Sequence, residues 1–342
     1  MSRTAVVLFN LGGPDRPESV EPFLRNLFSD PAIIRVPTLA RWLLARLIAR
    51  RRAPIARENY DRLGGGSPLL PNTRAQAAAL QGVLGDDHRV FVCMRYWHPM
   101  ADEVAREVAA WGPERVVLLP LYPQFSTTTT GSSLADWARA AARAGLERTF
   151  CGVCCYPTSP GLVRAMAAAI APLLEAKSRL LFSAHGLPKR VIADGDPYQD
   201  QIEETARAVV AALDRPGLDQ RGLDWQICYQ SRVGPLEWIG PSTEAELRRA
   251  AQDGVPVVVA PIAFVSDHVE TLVEIEIEYR HLAAGLGVPG FTRVPALGTA
   301  PDFIAALAEL VRGAVARGAV VATAEGVRRC TARCAGCPMP AR

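Results

Sequence analysis

The 342-residue chain contains no run of about eighteen uncharged apolar residues, so it predicts no helix that crosses a bilayer. Its first residues, MSRTAVVLFNLGGP, lack the basic region, apolar core and small-residue cleavage site of a secretory signal, and the expected location is the cytoplasm. A strong excess of one charge is missing too: a net +3 is too slight to imply a polyanion, so nucleic acid is not an expected partner. The glycines at Gly12-Gly13 and in Gly64-Gly65-Gly66-Ser67 complete neither GxGxxG nor the P-loop pattern, which argues against a nucleotide site.

What is present reads as a globular protein, with 49% apolar and 21% charged residues and length for two domains. Three pairs of segments echo each other in order. VVLFNLGGP (residues 6–14) resembles LLFSAHGLP (180–188), VFVCMRYW (90–97) resembles WQICYQSR (225–232), and VVLLPLYPQFS (116–126) resembles VVVAPIAFVS (257–266). Alanine-rich amphipathic segments at 101–111, 134–144, 162–177 and 243–251 separate the strand-like runs. Strands alternating with helices predict an α/β fold with parallel sheets, built as two similar Rossmann-like domains facing each other across a cleft. We expect the first at residues 1–150, the second at 151–300, and a helix with a cysteine-rich tail at 301–342.

In such sheets ligands gather at the carboxyl ends of strands, here residues 10–13, 95–98 and 122–133 in the first half and 183–187, 230–235 and 264–270 in the second. The richest end follows the run Val257 to Ala260, where Pro261 should close the strand because it cannot donate to a ladder. Asp267 followed by Glu270 reads as a capping box, and Leu272, Ile275, Tyr279 and Leu282 recur at helical spacing. On that helix Glu270, Glu274 and Glu278 form one line, beginning beside Asp267 and His268. A solvated acidic face explains the line; so does a ladder of hard oxygen ligands and proton acceptors leading into a crevice. His185, in a turn at the end of LLFSA, is either structural or an acid/base group, since imidazole titrates near neutrality.

Two further stretches are chemically distinctive. In residues 38–59, Leu39, Trp42, Leu43, Leu47 and Ile48 can form an apolar face flanked by arginines, as in an interfacial helix or a core helix with snorkelling arginines. At the C-terminus Cys330, Cys334 and Cys337 crowd into a short tail, a density that packing does not require. In a reducing compartment this predicts zinc or an iron–sulfur centre, with a fourth ligand among Cys151, Cys154 and Cys155. Cys93 and Cys228, inside strand-like runs, read as small apolar residues.

The motifs LFNLGGP, YDRLGGGSPL, MRYWHP, LYPQFSTTTTGSSL, LFSAHGLPKRVIADGDPY, YQSRVGPLEWIGP and APIAFVSDHVETLVEIEIEY, in this order, resemble the ferrochelatase family over essentially the whole chain. The resemblance implies insertion of Fe2+ into protoporphyrin IX with release of two protons, the last step of heme synthesis, with coproporphyrin as an alternative substrate. It implies a porphyrin cleft between the domains. His185 matches the catalytic histidine and Glu270 the acid facing it; Asp267, His268, Glu274, Glu276 and Glu278 match residues implicated in metal or proton passage. Leu11, Arg95, Tyr96, Tyr198, Trp238 and Phe264 match positions that line or organise the porphyrin pocket, and Arg52, Tyr60 and Ser67 match residues near the propionates. The amphipathic lip matches a membrane-contacting mouth, which implies peripheral association with the inner face of the membrane. Cluster-bearing bacterial members favour a 2Fe-2S cluster over zinc in the tail. Thr127 stands where animal members place the fourth cysteine, which returns the search to Cys151, Cys154 and Cys155. A homodimer is left open.

Overall fold

The computed structural model describes residues 3–146, 150–175, 177–213, 222–232, 236–334 and 336–339. Residues 233–235, the end of the predicted strand-tip stretch 230–235, lie outside them. In chain order the strands are β1 (Thr4–Asn10), β2 (His88–Met94), β3 (Arg115–Pro120), β4 (Phe150–Val153), β5 (Arg179–His185), β6 (Trp225–Gln230), β7 (Val257–Pro261), β8 (Phe291–Arg293) and β9 (Val321–Ala322). They form two sheets, ordered β2-β1-β3-β4-β9 and β6-β5-β7-β8, and the pairings among described residues are parallel.

The chain divides into two compact units. One comprises Met1–Tyr156, Leu307–Cys330 and Gly336–Arg342; the other comprises Pro157–Ala306 and Thr331–Ala335. In the first, all seven residues of β1 are buried, because helices cover a parallel sheet on both faces and leave no polar side for alternation. Val7, Phe9 and Leu118 pack with Val104, Val108 and Trp137 from the helices Ala101–Trp111 and Thr130–Arg143. In the second, Leu181, Val257 and Val259 pack with Leu247 of the helix Thr243–Asp253 and with Ile275 and Tyr279. Each fully buried side chain of this kind contributes roughly 1.5–3 kcal/mol. Cys93 and Cys228 sit in these two cores as small apolar residues.

The echo in the sequence is an echo in register. Val6 pairs with Val90 as Leu180 pairs with Trp225, and Ala5 pairs with Val116 as Arg179 pairs with Val257. Both sheets therefore place the first strand centrally, the second on one side and the third on the other. Positions match accordingly: Leu11 in the first unit corresponds to His185 in the second, and Arg95 to Gln230.

β7 closes at Pro261, as expected; Pro261 pairs with Ser183, and the next residue supplies a donor, as Ile262 N–H donates to Ser183 O at 3.0 Å. Two expectations for the acidic helix need correction. The acidic helix is not α-helical where it begins: Glu270–Tyr279 is a π-helix, followed by the α-helix Arg280–Leu286. Its N-cap residue is Val269, without a side-chain cap, so Asp267 and Glu270 form no capping box. Thr271 Oγ1 accepts the His268 N–H at 2.9 Å instead, while Asp267 Oδ1 pairs with Arg293.

Candidate active site

The carboxyl ends of β5 and β6 and the start of the π-helix bring three acid–base side chains, His185, Glu270 and Glu274, together with Gln230 and Ser231 within the second unit. His185, the last residue of β5, has its Nδ1 2.9 Å from Glu270 Oε2. Such a contact fixes the Nδ1-protonated tautomer and leaves Nε2 as the free acceptor. Gln230, opposite His185 in the sheet, is anchored by Ser183 Oγ, which donates to its Oε1 at 2.6 Å. Its amide then lies 3.4 Å from both Glu270 Oε2 and Glu274 Oε2. Ser231 holds a left-handed backbone, with φ of 61°, and its N–H donates to Glu274 Oε1 at 2.7 Å. Its hydroxyl also contacts both carboxylates.

The electrostatics follow from this packing. Burial alone would lower the His185 pKa, but the charge of Glu270, the hydrogen bond to it and the charge of Glu274 outweigh burial and leave it raised. Glu270 is held down to about 2: burial opposes its ionisation, and the His185 charge and hydrogen bond, His268 and Ser231 overcome that. Glu274 is shifted the other way, raised by burial and by the charge of Glu270. Two neighbouring carboxyls are thus shifted in opposite directions, Glu270 towards the ionised form and Glu274 towards the protonated one.

The flanking residues divide by exposure. The His185 side chain is 40% exposed, enough to meet a ligand, whereas His268 is buried, with its ring centroid 4.6 Å from that of Phe264. Burial lowers the His268 pKa, and its Nδ1 is a buried atom with no hydrogen-bond partner among the described residues. Tyr198 lies against the backbone of His185, its phenol pKa raised chiefly by burial. Trp238 pairs with Pro188 in an isolated antiparallel bridge, and a side chain at Gly186 would crowd both the Gln230 carbonyl, at 2.9 Å, and the Trp238 ring. Asp267 and Glu276 are engaged elsewhere: both pair with Arg293, at 2.8 and 3.1 Å.

The line expected from Glu270 through Glu274 to Glu278 does not persist. Glu274 is set apart from Glu278 by its contacts: i to i+5 bonding puts Tyr279 against it, and Ser231 meets it from the end of β6. Glu270 and Glu274 converge on Ser231, and Glu278 is exposed. Ser183, Gln230 and Ser231 fall within the strand-tip stretches 183–187 and 230–235 expected from sequence, though no individual role was given to them; Arg293 was not among the residues selected.

In the first unit the matching strand ends carry a closed network. Asp30, buried, accepts from Arg95 Nη2 at 2.8 Å, from Tyr96 OH at 2.7 Å and from Ser132. Arg95 also reaches Ser132 Oγ and Asp136 and stacks on the Tyr96 ring. Leu11 O accepts the Tyr96 N–H at 2.9 Å. Ser67 and Tyr60 meet at Gly13, where an added Cβ would lie 2.5 Å from Ser67 Oγ and 4.0 Å from the Tyr60 hydroxyl. The Arg52 guanidinium lies over the Phe28 ring.

The helix Thr38–Asp61 buries Ala45, Ala49, Ala53 and Tyr60, so its packed stripe is alanine rather than leucine. Leu39, Trp42, Leu43 and Leu47 are exposed, at 73, 50, 55 and 47%.

The cysteines fit a cluster only in part. The thiols of Cys330 and Cys337 hydrogen-bond, which, with the nearby Met339 backbone and Arg328, lowers Cys337 to about 6 against the effect of burial. Among the described residues no group of three or more Cys, His, Asp or Glu side chains is placed to hold a metal. Cys151 Sγ faces the Val116 carbonyl inside the sheet, and Cys154 and Cys155 are fully buried, 3.9 Å apart. The tail instead reaches Thr127: a Cβ on Gly336 would stand 2.7 Å from Thr127 Cγ2.

Comparison with known proteins gives the chain its relatives. The family model described as Ferrochelatase matches residues 3–315. A protein named ferrochelatase from Caulobacter vibrioides is 53% identical over 98% of this chain and 97% of its own length. Another from Phenylobacterium zucineum is 54% identical over 92% of each chain. Among solved structures, SirB from Bacillus subtilis with Fe3+ covers 93% of this chain and 97% of its own, with a TM-score of 0.53 at 12% identity, a likeness of fold alone.

Proposed function

The chain belongs to the ferrochelatase family, and from that membership we propose that it inserts Fe2+ into protoporphyrin IX, releasing two protons, in heme synthesis. The observation that carries the reading is the His185–Glu270 contact at the end of β5, with Nε2 of the imidazole left open. Metal insertion requires removal of the two inner N–H protons of the macrocycle. His185 Nε2 accepts a pyrrole proton, and Glu270, ionised beside it, stabilises the imidazolium that forms. Tyr198, Trp238 and Phe264 supply apolar surface near that nitrogen, and binding energy realised on remote faces of the ring can be used to bend it. Glu270 and Glu274 offer oxygen ligands for the incoming ion. The contacts proposed for Leu11, Arg52, Tyr60 and Ser67 rest on the family resemblance. Arg95 acts as an organiser, because its nitrogens are taken by Asp30, Ser132 and Asp136.

The test is anaerobic incubation of the full chain with Fe2+ and protoporphyrin, following loss of porphyrin fluorescence and the rise of heme absorbance. Wild type should turn over, and His185→Ala should bind porphyrin without inserting iron. Undiminished turnover in the variant would remove His185 from the chemistry. Tight binding with no insertion by either protein would make the chain a tetrapyrrole carrier, and faster turnover of coproporphyrin would change the substrate.

Two further assignments belong to this reading. The exposed leucines and Trp42 of the helix Thr38–Asp61, with Arg46, Arg50 and Arg51 exposed among them, suit peripheral contact with an anionic bilayer. Sedimentation with vesicles containing phosphatidylglycerol should fall sharply for Trp42→Glu, and equal binding to neutral vesicles would contradict the charge argument. Cys330, Cys334 and Cys337 are proposed to hold a 2Fe-2S cluster of structural role. Two of these thiols already touch, but the described donor set is incomplete and no step of the reaction is assigned to the cluster. Iron and acid-labile sulfide near two per chain would support it; stoichiometric zinc would replace it.

A further inference from the structure

The acidic side chains do not end at Glu274, and the route beyond it leaves the π-helix. Tyr279 lies five residues after Glu274, the spacing that i to i+5 bonding brings together. Its hydroxyl donates to Glu274 Oε1 at 2.9 Å and lies 3.4 Å from Glu244 Oε1. Glu244 is partly exposed in the first turn of the helix Thr243–Asp253, where the positive end of the helix dipole favours a carboxylate. The Tyr279 ring is packed in the core of the second unit with Leu247, Ala250 and Ile275. That packing holds the phenolic oxygen between the two acids. We propose that Tyr279 and Glu244 carry protons from Glu274 to solvent, so that the exit path turns onto the helix Thr243–Asp253 instead of continuing along the π-helix to Glu278.

The proposal rests on the chelatase reading, which supplies protons to be removed in every turnover. The steps balance without a co-reactant. A protonated Glu274 carboxyl gives its proton to the Tyr279 oxygen as the phenolic proton passes to the Glu244 carboxylate; Tyr279 remains neutral throughout, and Glu244 then releases the proton to water. The hydroxyl is then left donating to Glu274, as observed, and its rotation back towards Glu244 resets the path. A free phenolate is never formed, consistent with a site whose burial and neighbouring carboxylates strongly oppose one. Tyr279 and Glu244 do not touch the substrate and act through Glu274, so both are positioning residues.

The test measures kcat, KM for porphyrin and for Fe2+, and the solvent deuterium isotope effect on kcat, for wild type, Tyr279→Phe, Glu244→Gln and the double variant. Phenylalanine keeps the ring and removes only the hydroxyl; Glu244→Gln, at a partly exposed site, keeps the question answerable if the buried substitution impairs folding. Each single variant should lose about tenfold in kcat with KM values changed less than about twofold, and should show a larger isotope effect as proton exit becomes limiting. The double variant should be no slower than Tyr279→Phe, since both act on one path. Wild-type kcat in Tyr279→Phe overturns the relay, as do losses that multiply in the double variant, or a fall in kcat with raised KM and an unchanged isotope effect. Wild type that inserts no iron overturns the chelatase reading and the relay with it, an outcome distinct from a competent wild type matched by its variants.

Discussion

The strand tips of the two units share topology and register but differ in what their side chains have left to give. In the first unit Arg95 occupies the place of Gln230, and its guanidinium is bound by Asp30, Asp136 and Ser132, with Tyr96 OH also on Asp30. Leu11 stands where the second unit has His185. In the second unit two carboxylates share Gln230 and Ser231, and among the described residues the basic side chain hydrogen-bonded to Glu270 is the His185 imidazole, a group that can gain and lose its charge. One scaffold therefore carries a closed ion-pair network in one unit and a titratable pair in the other, and the difference is whether the acid faces an arginine or a histidine.

The largest effect expected from breaking this contrast is on turnover. Glu270→Gln keeps the shape of the side chain and removes the charge that supports the His185 imidazolium. A fall in kcat of about 10²- to 10⁴-fold is expected, with porphyrin binding retained. The acid limb of the pH profile should also move to lower pH. In wild type the charge of Glu270 helps raise the His185 pKa, and without it burial, which lowers it, weighs more heavily. An acid limb that stays in place would detach the limb from His185.

The corresponding substitution in the first unit should act on the fold. Asp30→Ala strands Arg95 beside its remaining partners and leaves the Tyr96 hydroxyl buried without its acceptor, at a cost of about 3 kcal/mol in denaturant unfolding. Turnover per folded molecule should fall much less than in Glu270→Gln. If kcat fell as far, with stability unchanged, the first tip would itself be part of the chemistry.

The same contrast was only half legible from sequence. The echo of VVLFNLGGP in LLFSAHGLP carried the duplicated topology, because strands buried on both faces must be apolar throughout and end in turn residues. His185 and Glu270 were legible because each follows such a run. The partners were not: Asp30 lies 65 residues from Arg95, in a loop with no periodicity, and Arg293 reaches Asp267 and Glu276 from the far edge of the sheet. The π-helix was hidden because an apolar stripe with acids every four residues suits a 3.6-residue turn just as well; the contacts that accompany the wider turn, Glu274 with Tyr279 inside the helix and with Ser231 from the end of β6, leave no periodic signal.

A smaller effect separates the units by pH. A raised His185 pKa adds stability that is fully present below its unfolded value of about 6.5 and is lost as pH rises through the folded value. A lowered Glu270 pKa adds stability that is present above its unfolded value of about 4.5 and is lost as pH falls towards about 2. The pair contributes most between about pH 4.5 and 6.5, whereas an arginine keeps its charge throughout. Glu270→Gln should therefore flatten the decline of Tm as pH rises above about 6.5, and an unchanged slope would mean that other groups govern it.

The smallest expected effect, that of Glu278→Gln, tests the helix geometry. On an α-helix Glu274 and Glu278 would share one line, and replacing either by glutamine would interrupt it similarly. On the π-helix Glu274 is fastened by Ser231 and Tyr279, while Glu278 has turned to the exposed side. Glu274→Gln should lower kcat by about 10²-fold, as expected for losing a proton-transfer group, and Glu278→Gln should change it less than about twofold. Equal losses would restore the straight ladder read from the four-residue spacing and would require the π-helix to rewind during turnover. Unequal losses would mean that the bend in the acidic path at Glu274 is a property of the working enzyme, imposed by one extra residue per bonded turn.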